Sequence, residues 1–153
     1  MKIVELTEGN HLLEKAIQVF WGQWGNENNY KFYEDAILHS FNSLDIPKFY
    51  VMVEEAEIIG TYALLRNDLN SRQDLYPWLA CLYVKPDARG RKVGSLLLQD
   101  GLREAARKGY NKLYLSTSLE GYYENYGWRN IGTVYGASGE GLKLFEKETG
   151  LSS

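Results

Sequence analysis

The sequence predicts an α/β (α+β) domain built around one mixed sheet, and three observations support this fold class. The chain has 153 residues, 44% of them hydrophobic, which is enough to bury a core without metals or disulfides. Segments with helical spacing of apolar residues alternate with short apolar runs that are typical of strands. Aromatic residues make up 14% of the chain and include twelve tyrosines, a composition typical of substantial sheet. We find no linker or repeat, so we expect residues 1–153 to form a single domain.

The predicted elements follow the order β-α-α-β-β-β-α-β-α-β-β. In the first half we expect a strand at 2–6, helices at 11–24 and 30–41, and strands at 49–53 and 58–65 joined by an acidic turn at 54–57. In the second half we expect a central strand at 76–84, a helix at 92–108, a strand around 113–115, a short helix at 119–126, and strands at 128–135 and 142–146. Gly109 is the expected C-cap of the long helix.

Composition argues against several classes of partner. The formal net charge of −3 does not favour binding to nucleic acid. Cys81 is the only cysteine and there are two histidines, so we expect no internal disulfide and no metal site. The N-terminus lacks a signal-peptide pattern, and no stretch approaches the roughly 20 apolar residues that a membrane span needs. We therefore expect a cytoplasmic protein without a membrane partner, either a monomer or a homodimer.

The stretch from Leu82 to Ser95 carries the clearest functional signal. It leads from a buried strand, through a basic turn with Gly90, into a helix that begins near Lys92 and contains Gly94. Helix N-termini have unpaired N–H groups and a partial positive charge, and the glycines allow close approach of a ligand. These features predict a phosphate or pyrophosphate site, although a tight turn with solvated arginines is the alternative. The glycine spacing excludes a Walker P-loop and a Rossmann fingerprint.

This segment resembles the acetyl-CoA signature of the GNAT family of N-acetyltransferases, Gln/Arg-x-x-Gly-x-Gly/Ala. Arg89 matches the first place and Gly94 the last, whereas Lys92 stands where the family usually has a glycine. The segment from Gly121 to Trp128 is similar to a second family motif, aromatic-Tyr-Glu-x-x-Gly-Phe, and follows at the right distance. The resemblance implies a GNAT-like domain, with a mostly antiparallel central sheet flanked by helices, that uses acetyl-CoA as co-substrate.

The resemblance also implies how acetyl-CoA is held. The pantetheine arm would pair with the backbone of the central strand, and the pyrophosphate would lie on the amides that open the helix, flanked by arginines. The implied cofactor-binding residues are Leu82, Tyr83, Val84, Arg89, Gly90, Arg91, Lys92, Val93, Gly94 and Ser95. For Leu82 and Val84 the expected contribution is their backbone, since their side chains are expected in the core.

Family members transfer the acetyl group directly to an amine in a ternary complex. An N–H near Leu82 or Tyr83 would bind the oxyanion, and Tyr123 would protonate the departing thiolate, although its neighbours Tyr122 and Tyr126 are easily confused with it. No general base is visible in the central strand. Either a water chain relays the proton or a residue from elsewhere does so, the candidates being Asp74, Glu27, Glu34 and Asp35. Cys81 is expected to be a small buried side chain and not a nucleophile.

The acceptor is expected to be a small amine, bound by the first two helices and the loop before the central strand. The candidate substrate residues are Arg72, Asp74, Trp78 and Glu34. The sequence does not choose among an antibiotic, a polyamine, an amino acid derivative and a protein N-terminus. A non-catalytic module that senses acetyl-CoA is the alternative function, because Lys92 departs from the motif and the base is missing.

Overall fold

The computed structural model describes residues 1–41 and 44–151. Its strands are β1 (Lys2–Glu5), β2 (Lys48–Glu54), β3 (Glu57–Leu65), β4 (Trp78–Val84), β5 (Lys112–Thr117), β6 (Arg129–Tyr135) and β7 (Gly141–Glu148). Its α-helices are α1 (Leu13–Trp24), α2 (Tyr30–Leu38) and α3 (Val93–Arg107), and short 3₁₀ turns occur at Pro86–Ala88 and Glu124–Tyr126.

The strands form one mixed sheet in the order β1-β2-β3-β4-β5-β7-β6. β1 pairs antiparallel with β2, and β7 pairs antiparallel with both β5 and β6. β4 and β5 are parallel, with Trp78 opposite Tyr114, so α3 is the crossover connection that a parallel pair requires. The predicted mixed α/β fold is therefore confirmed.

The chain divides into two compact units, the first comprising Met1–Ala63 with Cys81–Asp100. In this unit Phe20 of α1 packs edge-on against Phe49 of β2, with ring centroids 5.4 Å apart. α3 lies close to β3 because Gly60 has no side chain: a Cβ at this position would lie 2.9 Å from Leu97 Cδ1 and 3.2 Å from Val93 Cγ1. Gly60 thus sets how closely the start of α3 approaches the sheet.

The second unit comprises Leu64–Ala80 and the chain from Gly101 onward. Its core includes the buried side chains of Trp78, Tyr114, Val134 and Leu144. The long helix ends as predicted at Gly109, which has a φ of 93°. The Tyr110 amide donates to the Ala105 carbonyl at 3.0 Å and the Gly109 amide to that of Ala106 at 2.9 Å, the hydrogen-bond pattern of a Schellman motif.

The helix predicted at 119–126 was wrong, because this segment contains only the 3₁₀ turn Glu124–Tyr126. Gly121 and Gly127, with φ values of 80° and 85°, place left-handed backbone on both sides and leave room for a single turn. Other boundaries move by one to three residues. The Asn10 side chain accepts a hydrogen bond of 2.8 Å from the Leu12 amide, and α1 begins at the next residue, Leu13. Pro77, which lacks an amide donor, directly precedes Trp78, the first residue of β4.

Candidate active site

The first unit carries the segment expected to bind pyrophosphate, at the junction of β4 and α3. The first helical hydrogen bond of α3 runs from the Leu96 amide to the Lys92 carbonyl, at 3.0 Å. The N–H groups of Val93, Gly94 and Ser95 precede that bond and have no acceptor within the helix. Three amides and the positive end of a fifteen-residue helix therefore face the same loop.

Lys92 adopts the backbone conformation of the glycine that it replaces in the signature. Its φ is 64°, and Gly90, two residues earlier, has a φ of 82°. A non-glycine residue in this left-handed region costs about 1–2 kcal/mol. The glycine of the family pattern is thus explained by the turn that leads into α3, and the lysine keeps this turn at a cost in backbone energy.

The two arginines of the loop have partners within the first unit. The Arg89 Nε donates to the Val84 carbonyl at 3.1 Å. The Arg91 guanidinium lies 2.5 Å from a Glu54 carboxylate oxygen, and this contact lowers the pKa of Glu54. Both arginines remain exposed. Arg91 is consequently placed to exchange a carboxylate for another anion.

β4 is irregular at its centre. Cys81 has a φ of 55°, which is uncommon for a residue inside a strand. Its carbonyl accepts a hydrogen bond of 2.9 Å from the Thr61 hydroxyl. Leu82, Tyr83 and Val84 follow this break and are half-buried. The Tyr83 ring meets Trp24 of α1 edge-on at 6.3 Å, and it borders a cleft of 580 Å³ that also has Gly22 in its wall.

Tyr123 lies in the second unit and is buried, with 7% of its surface exposed. Its ring packs against Phe145 at 5.9 Å and against Trp128 at 6.3 Å. Burial and the neighbouring Tyr122 raise its pKa to about 12, so the phenol stays protonated at neutral pH. The Tyr122 ring packs against Tyr126 with ring centroids 5.3 Å apart, and burial raises the pKa of Tyr122 as well.

The residues expected to contact an acceptor differ in whether their side chains are accessible to a ligand. Arg72 and Asp74 bind each other through two hydrogen bonds of 2.9 Å and neutralise each other's charge. Trp78 is fully buried, and its indole donates to the Leu75 carbonyl at 2.7 Å, which leaves the ring no exposed surface. Glu34 is half-buried and lines a cleft on α2.

The remaining candidate bases, Glu27 and Asp35, are exposed, and Asp35 lies 3.3 Å from His39. A different carboxylate, that of Asp68 in the loop between β3 and β4, was not among the predicted residues. Its side chain is half-buried, and burial raises its pKa to about 6. No sequence pattern marks Asp68, because its burial arises only when the loop folds.

Within the described ranges 1–41 and 44–151, no three or more histidine, cysteine, aspartate or glutamate side chains are grouped so that they could hold a metal ion. In the same part of the chain, none of the helices has both the length and the apolar character needed to span a bilayer.

Comparison with known proteins identifies the family. Residues 45–130 match the family model of the acetyltransferase (GNAT) domain. A search of curated protein sequences gives no significant match.

Similar solved structures span nearly the whole chain at low identity. An aminoglycoside 6′-N-acetyltransferase in complex with coenzyme A is 17% identical, covers 97% of both chains and has a TM-score of 0.69. The aminoglycoside 6′-N-acetyltransferase from Enterococcus faecium is 16% identical, with the same coverage and a TM-score of 0.71. A GNAT acetyltransferase from Elizabethkingia anophelis with acetyl-CoA bound is 19% identical, covers 96% of this chain and 97% of that one, and has a TM-score of 0.62. The family match covers more than half of the sequence and the fold agrees along its length, so the chain belongs to the GNAT family of acetyltransferases.

Proposed function

We propose that this protein is a single-domain cytoplasmic N-acetyltransferase that moves the acetyl group of acetyl-CoA to the amine of a small molecule. The observation that carries the proposal is the start of α3. There the amides of Val93, Gly94 and Ser95 have no helical acceptor, and Lys92 holds the glycine-like turn before them. This arrangement is suited to a pyrophosphate, and GNAT enzymes use acetyl-CoA as co-substrate.

In the proposed complex, the amides at the start of α3 bind the pyrophosphate and Arg89, Arg91 and Lys92 add positive charge around it. The half-buried end of β4, from Leu82 to Val84, offers backbone groups to the pantetheine arm. The break at Cys81 lies directly before Leu82, where an amide is expected to stabilise the oxyanion.

The proposed chemistry is a direct transfer. The amine nitrogen forms a bond to the thioester carbonyl carbon, the tetrahedral adduct collapses, and the carbon–sulfur bond breaks. Tyr123 gives its phenolic proton to the departing thiolate, and a proton that the amine nitrogen releases through water restores the phenol. The phenol of Tyr123 is protonated at neutral pH, as a proton donor must be, and its raised pKa makes it a weaker acid than an ordinary tyrosine.

The acceptor is proposed to be a small amine. Several structural neighbours are aminoglycoside 6′-acetyltransferases, which makes aminoglycosides one class worth testing beside polyamines and amino acid derivatives. At 16–20% identity the likeness extends to the fold alone, so the acceptor must be identified by experiment.

A panel assay tests the proposal. The protein is incubated with acetyl-CoA and kanamycin, glucosamine, spermidine or an amino acid amide, while thiol release and the acetylated product are measured. We expect thiol release that depends on one amine and yields its N-acetyl derivative. Acetyl-CoA at about 100 times its dissociation constant should also stabilise the fold by roughly 2.7 kcal/mol, well above the effect of ATP or NAD. Binding without thiol release for any amine would favour a sensor module instead.

A further inference from the structure

We propose that the second unit binds a neutral saccharide in the cleft between the β3–β4 loop and the turn that joins β6 to β7. The cleft has a volume of 560 Å³, and its lining residues lie at 67–73 and 135–137, all within that unit. Saccharide binding there is a property of the second unit alone, so it does not depend on acetyl transfer.

Asn70 presents a buried hydrogen-bond donor to this cleft. The residue lines the cleft and is only 5% exposed, yet its side-chain nitrogen Nδ2 has no acceptor within residues 1–41 and 44–151. The side-chain oxygen of Asn70 accepts from the Arg72 amide at 3.1 Å and from the Asn67 side chain at 3.3 Å, which fixes the orientation of the group. Because a buried N–H without an acceptor is costly, Asn70 suits a ligand that brings an oxygen to it.

The polar lining of the cleft suits a ligand without charge. Among the residues that the structure describes, no charged side chain lines it. Besides Asn70, its polar side chains are those of Asn67, Ser71 and Gln73. Amide and hydroxyl side chains both donate and accept hydrogen bonds, as the hydroxyl groups of a sugar do. An ionic ligand would have no opposite charge in the lining to offset the loss of its hydration.

The apolar lining suits the ring of a sugar. Leu69 and Tyr135 line the cleft and are 71% and 53% exposed, so a ligand can reach both side chains. Such surfaces can cover the C–H groups of a pyranose ring while its hydroxyl groups bond to the polar side chains. Leu69 also has a φ of 52°, which is uncommon for a residue with a Cβ. Strained residues of this kind cluster where a protein clamps a ligand.

The two walls of the cleft are joined by backbone hydrogen bonds. The Ser71 amide donates to the Tyr135 carbonyl at 2.8 Å, and the Tyr135 amide donates to the Ser71 hydroxyl at 2.9 Å. Asn70 and Gly136 form an antiparallel β-bridge beside them. The turn itself is closed by the Gly136 amide, which donates to the Glu140 carbonyl at 2.9 Å. The cleft is therefore preformed, which limits the entropy that a ligand must offset.

NMR of the complete nitrogen-15-labelled protein tests the site at Asn70 itself. Glucose, N-acetylglucosamine and cellobiose are each titrated while the side-chain amide signals of Asn70, assigned through its own Cβ, are followed. We expect one of these sugars to shift both signals saturably and to give a nuclear Overhauser effect from Asn70 Nδ2–H to the sugar. Glucuronate, which adds a carboxylate to the glucose ring, should bind more weakly than glucose.

Two ring substitutions test the apolar wall. Tyr135→Ala removes the ring but keeps the backbone bonds to Ser71, and it should raise the dissociation constant of the sugar by roughly 2–10-fold, the effect of losing one aromatic contact. Tyr135→Phe keeps the ring and should bind like the wild type. Tyr76→Ala is the matched control, because Tyr76 is also 53% exposed and belongs to the same unit but lines a different cleft. It should leave the dissociation constant unchanged.

The inference fails if none of the three neutral sugars shifts the Asn70 signals, because water alone then satisfies the amide. It fails as well if Tyr76→Ala weakens binding as much as Tyr135→Ala, or if glucuronate binds more tightly than glucose. Thermal unfolding of each variant shows whether a loss of binding is a loss of folding. If Tyr135→Ala does not fold, the titration of the wild-type protein and Tyr135→Phe still decide the outcome.

Discussion

Replacing Lys92 with glycine removes the backbone strain at the entrance to α3. The φ of 64° at Lys92 costs about 1–2 kcal/mol for a residue with a Cβ. Glycine avoids this cost but loses about 0.5–1 kcal/mol more conformational entropy on folding. Taking the middle of each range, the difference leaves a net stabilisation of about 0.75 kcal/mol. For a chain of this size, that corresponds to a rise in Tm of roughly 1–4 °C.

Lys92→Ala is the matched control, because alanine keeps the strained φ and removes only the ammonium group. We expect both variants to lose the same modest part of the coenzyme A affinity, whereas only Lys92→Gly should gain stability. Thermal unfolding and calorimetry of coenzyme A binding measure the two effects separately. If Lys92→Gly is no more stable than Lys92→Ala, the left-handed conformation at this position is refuted.

Four further substitutions test other parts of the account. Tyr123→Phe should lower turnover by about 10²–10⁴-fold with unchanged coenzyme A affinity. Full turnover of this variant in steady-state kinetics would exclude Tyr123 as the acid. Gly60→Ala places a Cβ 3.1 Å from the Tyr83 carbonyl, so it should destabilise the fold by about 1–3 kcal/mol and weaken coenzyme A binding; an unchanged Tm would contradict the close packing. Glu54→Gln frees Arg91 from its ion pair and should strengthen coenzyme A binding by up to about fivefold in calorimetry. Weaker binding would contradict the expectation that Arg91 exchanges the Glu54 carboxylate for a phosphate. Asp68→Asn should raise the free energy of unfolding at pH 7 by about 1–3 kcal/mol. The reason is that the pKa of Asp68 is raised from 3.8 to about 6 in the folded state, so the charged carboxylate destabilises the fold progressively as the pH rises through that range. Unfolding curves at pH 4 and pH 7 should show that this gain vanishes at the lower pH.

The sequence was sufficient to predict the elements whose signals are local. The glycine at 109 marked the end of α3, and the acidic turn at 54–57 correctly joined β2 and β3, where Glu55 and Ala56 both have positive φ values. The arginine and glycine pattern around Arg89 and Gly94 located the helix entrance. Each of these features depends on residues that are neighbours in the chain, so their spacing carries the information.

Features that depend on distant contacts could not be predicted. Spacing favoured a helix at 119–126, but the left-handed glycines at both ends allow a single turn. Trp78 was expected near an acceptor because it lies beside Arg72 and Asp74 in the segment that leads into the central strand, and the fold buries it completely. Asp68 was missed for the opposite reason, since an aspartate in a loop of asparagines is expected in solvent. Its burial requires the hydrogen bonds between the loop and the strand that ends at Tyr135.

A crystal structure of the complex with coenzyme A would show whether the start of α3 binds the pyrophosphate. We expect pyrophosphate oxygens within hydrogen-bonding distance of the amides of Val93, Gly94 and Ser95, with the pantetheine arm along β4 from Leu82 to Val84. Arg91 should have left Glu54 for a phosphate oxygen. A pyrophosphate bound elsewhere, with the start of α3 open to solvent, would contradict the proposed site.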